Sequence, residues 1–190
     1  MAYSCHGTAS DRSLPTLVYP RDVAQPVGRL SLHYRSQSVC IGNIDGFFLM
    51  RCFGNLSSDD VRACLKAHTS ALRHRPQGVG SVTVIDPTAT MPSDETRRAI
   101  NEVTKQTLEH ALGSATVVLG DGFWASAMRG VMTTINLVSN PRHPNKVFRH
   151  EAEAVEWVIK TLGESLPAYR RPLLDGLAQL QAVAKQPLVE

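Results

Sequence analysis

Acid–base or nucleophilic chemistry needs a His, Asp, Glu, Cys or Ser within reach of a partner that moves its proton. Candidates here are few. Asp86 and Asp121 each close an apolar run, and His143 and His150 flank a proline-rich loop, so an Asp/His cluster is the acid–base arrangement that the order of residues leaves open. The chain has no HExxH, no GxSxG, no phosphate-binding P-loop and no dinucleotide fingerprint. Cys5, Cys40, Cys52 and Cys64 lack CxxC spacing and a linked histidine pair, and the last three sit in apolar surroundings. They read as buried free thiols rather than metal ligands or nucleophiles. No metal, no cofactor and no enzymatic role is expected.

The elements that would position any site are organised around Val82–Glu95. An apolar run ends at Asp86, Pro87 stops it because proline has no amide to donate to a ladder, and Ser93 precedes Asp94 and Glu95 as a helix N-cap. In open α/β sheets ligands bind outside the carboxyl ends of the strands, which puts this loop first among candidate sites.

Upstream, Leu30–Arg35 alternates Leu30, Leu32 and Tyr34 with Ser31, His33 and Arg35, the mark of a half-buried strand. Val39–Ile44 and Phe47–Phe53 are split by Asp45-Gly46, a hairpin signal. Ser57, with Asp60 three residues on, caps a helix to about His74 that places Val61, Leu65, His68 and Leu72 on one stripe. His68 is read as a core-edge histidine.

Downstream, Ser81–Asp86 is the central strand. The helix after Ser93 is expected to bury Ile100, Val103, Leu108, Ala111 and Leu112 and to end at Gly113. Ala115–Leu119 is a short apolar strand of the kind covered on both faces, and Gly120-Asp121-Gly122 turns into a helix over Phe123–Val138. Lys146–Phe148 and a helix over Glu151–Leu162 follow. A last helix, about Pro167–Lys185, carries Leu173, Leu174, Leu177, Leu180 and Val183 on one face. That face must be buried against its own domain, a second copy or another protein.

The fold class is therefore α/β: a small, mostly parallel sheet with an antiparallel edge hairpin, covered by about four helices, plus an extra C-terminal helix. Residues 1–28, rich in proline and small polar residues, read as a flexible arm, with Leu17-Val18-Tyr19 as a docking segment or untethered. Residues 29–163 form the domain, and 164–190 the amphipathic helix and tail.

Composition narrows the partners. A net charge of +3 in 190 residues, with arginines grouped only as Arg73-His74-Arg75, Arg97-Arg98 and Arg170-Arg171, gives no basic stripe for nucleic acid. No apolar run approaches the roughly 20 residues of a membrane span, so no membrane insertion and a cytoplasmic location are expected.

The arrangement resembles the STAS-like proteins of the anti-sigma-factor-antagonist fold, and among them the stand-alone SpoIIAA-like branch. The resemblance covers roughly residues 30–163. It rests on the hairpin with Phe47–Phe53, the Gly54-Asn55-Leu56-Ser57 helix entry, the Val82–Asp86 and Ala115–Leu119 strands, and Val147–Val158 with its Phe148 and Trp157. It implies regulation by binding: docking on a kinase, sigma regulator, transporter or other partner, with a nucleotide or lipid sensed in some members. It also implies a phosphorylatable Ser or Thr after the central strand, for which Thr88 and Ser93 are the candidates. The loop here is longer than that Asp-Ser-type motif and carries Pro87.

Two readings of the site follow. In the first, Asp86, Thr88, Thr90, Ser93, Arg97 and Arg98 form a docking surface for a protein partner, together with or without the last helix. A phosphate at Ser93 or Thr88 would meet free helix amides and Arg97 or Arg98, whereas an unmodified Ser93 is simply an N-cap. In the second, this loop, Asp121, Gly122, Phe123 and Trp124 enclose a small ligand, a nucleotide or a lipid. The apolar helix bearing Met128, Val131, Met132 and Ile135 would favour the lipid.

Overall fold

Alternating strand and helix signals from Leu30 onward become one mixed sheet packed between two layers of helices. A computed structural model describes residues 28–139 and 143–187, with the side chains of residues 135–139 outside that description. The elements are β1 (Ser31–Arg35), β2 (Val39–Ile44), β3 (Phe47–Cys52), α1 (Ser58–His74), β4 (Val79–Ile85), α2 (Asp94–Thr107), β5 (Ala111–Val118), α3 (Gly122–Ser139), β6 (Asn145–Phe148), α4 (Glu151–Thr161) and α5 (Leu166–Ala184). The arm read over residues 1–28 lies outside the described residues except for Gly28, as do Leu17–Tyr19 and Cys5.

The strands lie in chain order, β1-β2-β3-β4-β5-β6, antiparallel through β3 and parallel from β3 to β6. This is the expected α/β class with its antiparallel edge. Asp45 and Gly46 turn β2 into β3 with φ of 43° and 79°, the left-handed pair that a two-residue hairpin needs. Ser57 caps α1 through the amide of Asp60, whose carboxylate returns a bond to the Ser57 amide.

The two sheet faces are filled differently. On one, Phe47, Leu49, Val82, Val84, Ala115 and Val117 pack against α4 and α5. Leu173, Leu177 and Leu180 of α5 are fully buried there, so the apolar face of the last helix is covered by its own domain. On the other face, Val39, Ile41, Phe48, Ala67, Ala71 and Met128 form a second cluster with α1 and α3.

Two expectations are corrected. The helix after Ser93 stops at Thr107, a 3₁₀ turn covers Leu108–His110, and Ala111–Gly113 belong to β5. Gly113 is no helix terminator: opposite Gly80 across β4 and β5, it makes room for Leu162, which approaches both positions. In β1 the alternation fails at a bulge between Leu32 and Tyr34, which sit opposite the adjacent residues Gly42 and Ile41. Leu30 and Tyr34 consequently pack against opposite faces, and Leu32 is left 46% exposed.

Candidate functional site

Residues of β4 and β5 that face α1 and α3 are polar where a covered sheet face is ordinarily apolar. Ser81 and Thr83 sit directly opposite Ser114 and Thr116, and Ser114 in turn opposite Asn145 of β6. Across β3 the same rows continue as Phe48 and Met50. The floor is thus graded, apolar over β3 and hydroxyl-bearing over β4 and β5, with Asn145 beside Ser114 and Val147 beside Thr116 on β6. Ser81 donates to Ser114 Oγ at 2.9 Å, and Ser114 Oγ lies 3.2 Å from His143 Nε2. Burial lowers the pKa of His143, favouring the neutral ring.

Above this floor α2 does not come down onto the sheet. Its partner is α1, and among its residues only Thr96 is buried. The sequence explains this: beyond Ala99, its apolar residues are Ile100 and Val103, too narrow a stripe to pull a helix onto a sheet. It is hung from its first turn, where Ser93 Oγ accepts from the Thr96 amide (3.1 Å), Thr96 Oγ1 donates to the Leu56 carbonyl (3.0 Å) and Ser58 Oγ donates to Glu95 (2.8 Å). The space left is a cavity of about 270 Å³ roofed by Ile100, Val103, Thr104 and Thr107. Cys64 and His68 of α1 and Met128 and Met132 of α3 wall it. Small-molecule sites run from roughly 300 Å³ upward, so this one suits a compact occupant.

His68 tilts against Phe48, ring centroids 6.2 Å apart. Burial, and the nearby His110 and His143, pull its pKa down to about 4. It is buried at the core edge, as the helical stripe indicated. Cys40, Cys52 and Cys64 are free thiols. Burial raises all three, Cys64 to about 12, which makes them poor nucleophiles at neutral pH.

The residues singled out from the sequence fall mainly at the carboxyl edge of the sheet. Asp86 is bonded to Arg51, and His143 lies at the opposite, amino end of β5, so an Asp86/His143 pair does not assemble. Thr88 donates to the Phe53 carbonyl and Thr90 to Asn55. Ser93 is the N-cap of α2. Arg97 donates to the Pro92 carbonyl and pairs with Asp94, while Arg98 is exposed. Asp121 and Gly122 are exposed, Phe123 is 91% exposed, and Trp124 packs partly on the α1/α3 face. Of these residues Thr90 and His143 reach the cavity. A crevice at strand carboxyl ends arises where strand order reverses; here the order is sequential, and the three parallel crossovers keep α1, α2 and α3 on one face.

With strands in this order and helices in these layers, one solved structure can be set beside the chain. The chain is similar to a SpoIIAA-like protein. That protein is an uncharacterized member of the DUF3478 family from Shewanella loihica PV-4; the match has 16% identity, covers 72% of this chain and 98% of that one, and has a TM-score of 0.45. It carries the fold name that the sequence resemblance also gave. No protein-family model and no curated protein matches the chain.

The floor residues Ser81, Thr83, Ser114 and Thr116 escaped the reading of β4 and β5 as covered apolar strands. The signal was present: both strands carry Ser-x-Thr followed by valine, Ser81-Val82-Thr83-Val84 and Ser114-Ala115-Thr116-Val117. With a period of two, that puts hydroxyls on one face and valine or alanine on the other.

Proposed function

We propose that this domain is a non-catalytic binding module that takes up a small, largely apolar molecule between α2 and the sheet. The observation that carries the reading is that α2 packs on α1 and not on the sheet, leaving the cavity over Thr83 and Thr116. Of the two ligand classes expected, the lining favours the lipid-like one. A nucleotide needs cations or free helix amides for its phosphates, and no Lys or Arg lines the cavity among the described residues. The roof is also the helix whose N-terminal end carries Ser93, Arg97 and Arg98, so an occupant would change how residues 86–97 are held. That gives a regulatory module its output.

The test is titration of the full chain with the uncharged fluorophore N-phenyl-1-naphthylamine. Saturable one-to-one binding is expected, with about 2.7 kcal/mol of stabilisation at 100 times the dissociation constant. Val103→Trp, which fills the space beneath α2, should abolish it. Absence of saturable binding, or binding that Val103→Trp leaves intact, removes the proposal.

A second reading, docking of a protein partner or a second copy beside residues 86–97, is favoured by the exposure of Phe123 (91%) and Met91 (37%). Sedimentation equilibrium of the wild type and Phe123→Ser tests the homodimer: a concentration-dependent dimer lost in the variant supports it, and a monomer at all concentrations excludes it.

A further inference from the structure

Resting on that ligand-binding reading, we infer that the occupant is an uncharged molecule with a carbonyl-type oxygen, its oxygen held among His143, Thr83 and Thr116 and its apolar body turned toward Phe48 and Met50.

Charge is the first discriminator. Among the described residues the cavity is lined by no Asp, Glu, Lys or Arg. A carboxylate, phosphate or ammonium entering it would lose its hydration with no counter-charge, at a cost of several kcal/mol per ion. Burial also holds the two lining histidines, His68 and His143, below their ordinary pKa, so neither offers a ready cation.

Hydrogen-bonding balance is the second. Ser81 donates to Ser114; with the Ser114 proton given in turn to His143 Nε2 at 3.2 Å, the ring proton sits on Nδ1. That Nδ1 is buried and has no hydrogen-bond partner among the described residues; of the buried polar atoms in that condition, it is the one whose residue lines the cavity. The Thr83 and Thr116 hydroxyls, half-buried and directly opposite one another, bond to no described residue either. Each threonine hydroxyl can accept as well as donate, but a proton on Nδ1 can only donate, so the polar side is left needing an acceptor. An unmade bond by a buried donor costs about 1–3 kcal/mol, so the complement carries an acceptor for that proton. A ketone, ester or amide carbonyl fits, with two lone pairs for two donors.

Register then fixes orientation. The row Phe48–Ser81–Ser114–Asn145 runs from apolar to polar in going from β3 toward β6, and the row Met50–Thr83–Thr116 does so from β3 to β5, where Val147 of β6 closes it. An amphipathic molecule lying across the strands has one favourable direction.

The experiment uses four soluble probes of similar size and the full chain, followed by ¹⁵N–¹H NMR titration: acetophenone, ethylbenzene, benzoate and benzylammonium. Acetophenone should bind about fivefold more tightly than ethylbenzene, the effect of one net hydrogen bond, and the two ions should bind more weakly than either. The double substitution Thr83→Val/Thr116→Val keeps side-chain shape and should erase the preference for acetophenone while leaving ethylbenzene affinity in place. Equal affinity for acetophenone and ethylbenzene, or tightest binding of benzoate, overturns the carbonyl site while the cavity reading stands. If neither neutral probe binds, the cavity reading falls with it.

Discussion

Arg51 holds Asp86 through two parallel hydrogen bonds, Nε to Oδ2 at 2.8 Å and Nη2 to Oδ1 at 2.7 Å, and its remaining arm reaches Glu151 at 2.8 Å. The guanidinium is 2% exposed. Desolvation works against its charge, but the bonds and charges of Asp86 and then Glu151 outweigh it and raise the pKa. The end of the central strand is therefore tied to the start of α4, and both Asp86 oxygens serve the fold.

Removing one side of that pair should cost more than removing both. Asp86→Ala strands a buried guanidinium with one partner and should destabilise by about 3–5 kcal/mol, whereas Arg51→Met/Asp86→Ala should recover part of the loss. Urea denaturation measures both. An Asp86→Ala change of under about 0.5 kcal/mol would show that the pair is dispensable.

Ser93 gives a smaller, sharper test. Its Oγ caps the Thr96 amide, so Ser93→Ala should cost about 1 kcal/mol, while Ser93→Asp, an equally good cap with charge at the favourable helix end, should stay near wild type. A loss in Ser93→Asp as large as in Ser93→Ala would rule out capping as the role of this side chain and reopen the charge-switch reading.

Caps and turns were legible because their chemistry is local: Ser57 with Asp60, Asp45-Gly46 and Ser93 each act within about four residues of chain. Element order followed from them and from hydrophobic period. What was not legible depends on distant neighbours. Gly113 looks like a helix end until Leu162 is seen against it. The β1 alternation looks regular until Gly42 and Ile41 show the bulge. The cavity was hidden for the same reason: α2 has an ordinary amphipathic pattern, and only its packing chiefly on α1 shows that a cavity separates it from Thr83 and Thr116.

Helix α5 was an add-on in the sequence and is a layer of the core in the structure. At Gly176 a Cβ would lie 2.6 Å from Ile44 Cδ1 and 3.0 Å from Leu49 Cδ1. Gly176→Leu should therefore destabilise by about 1–3 kcal/mol or more through overpacking. Deletion of residues 164–190, which uncovers Leu173, Leu177 and Leu180 together with their seat on β2 and β3, should abolish the cooperative urea transition. A truncated chain that still unfolds cooperatively would show α5 to be dispensable.

His68 sets a pH dependence whose sign is fixed by burial. Its pKa is 6.5 in the unfolded chain and about 4 in the folded one, through desolvation and the neighbouring His110 and His143. Between those values the unfolded state binds more protons, so stability is full above about pH 6.5 and falls as pH drops toward 4, by up to about 3 kcal/mol. His143, also lowered by burial, adds in the same direction. His68→Leu keeps an apolar contact with Phe48 and removes the proton site, so its stability should be flatter than wild type over pH 4–6.5. Urea midpoints at several pH values would measure the two slopes. Parallel wild-type and His68→Leu profiles would place the acid sensitivity in another group and remove His68 from the account.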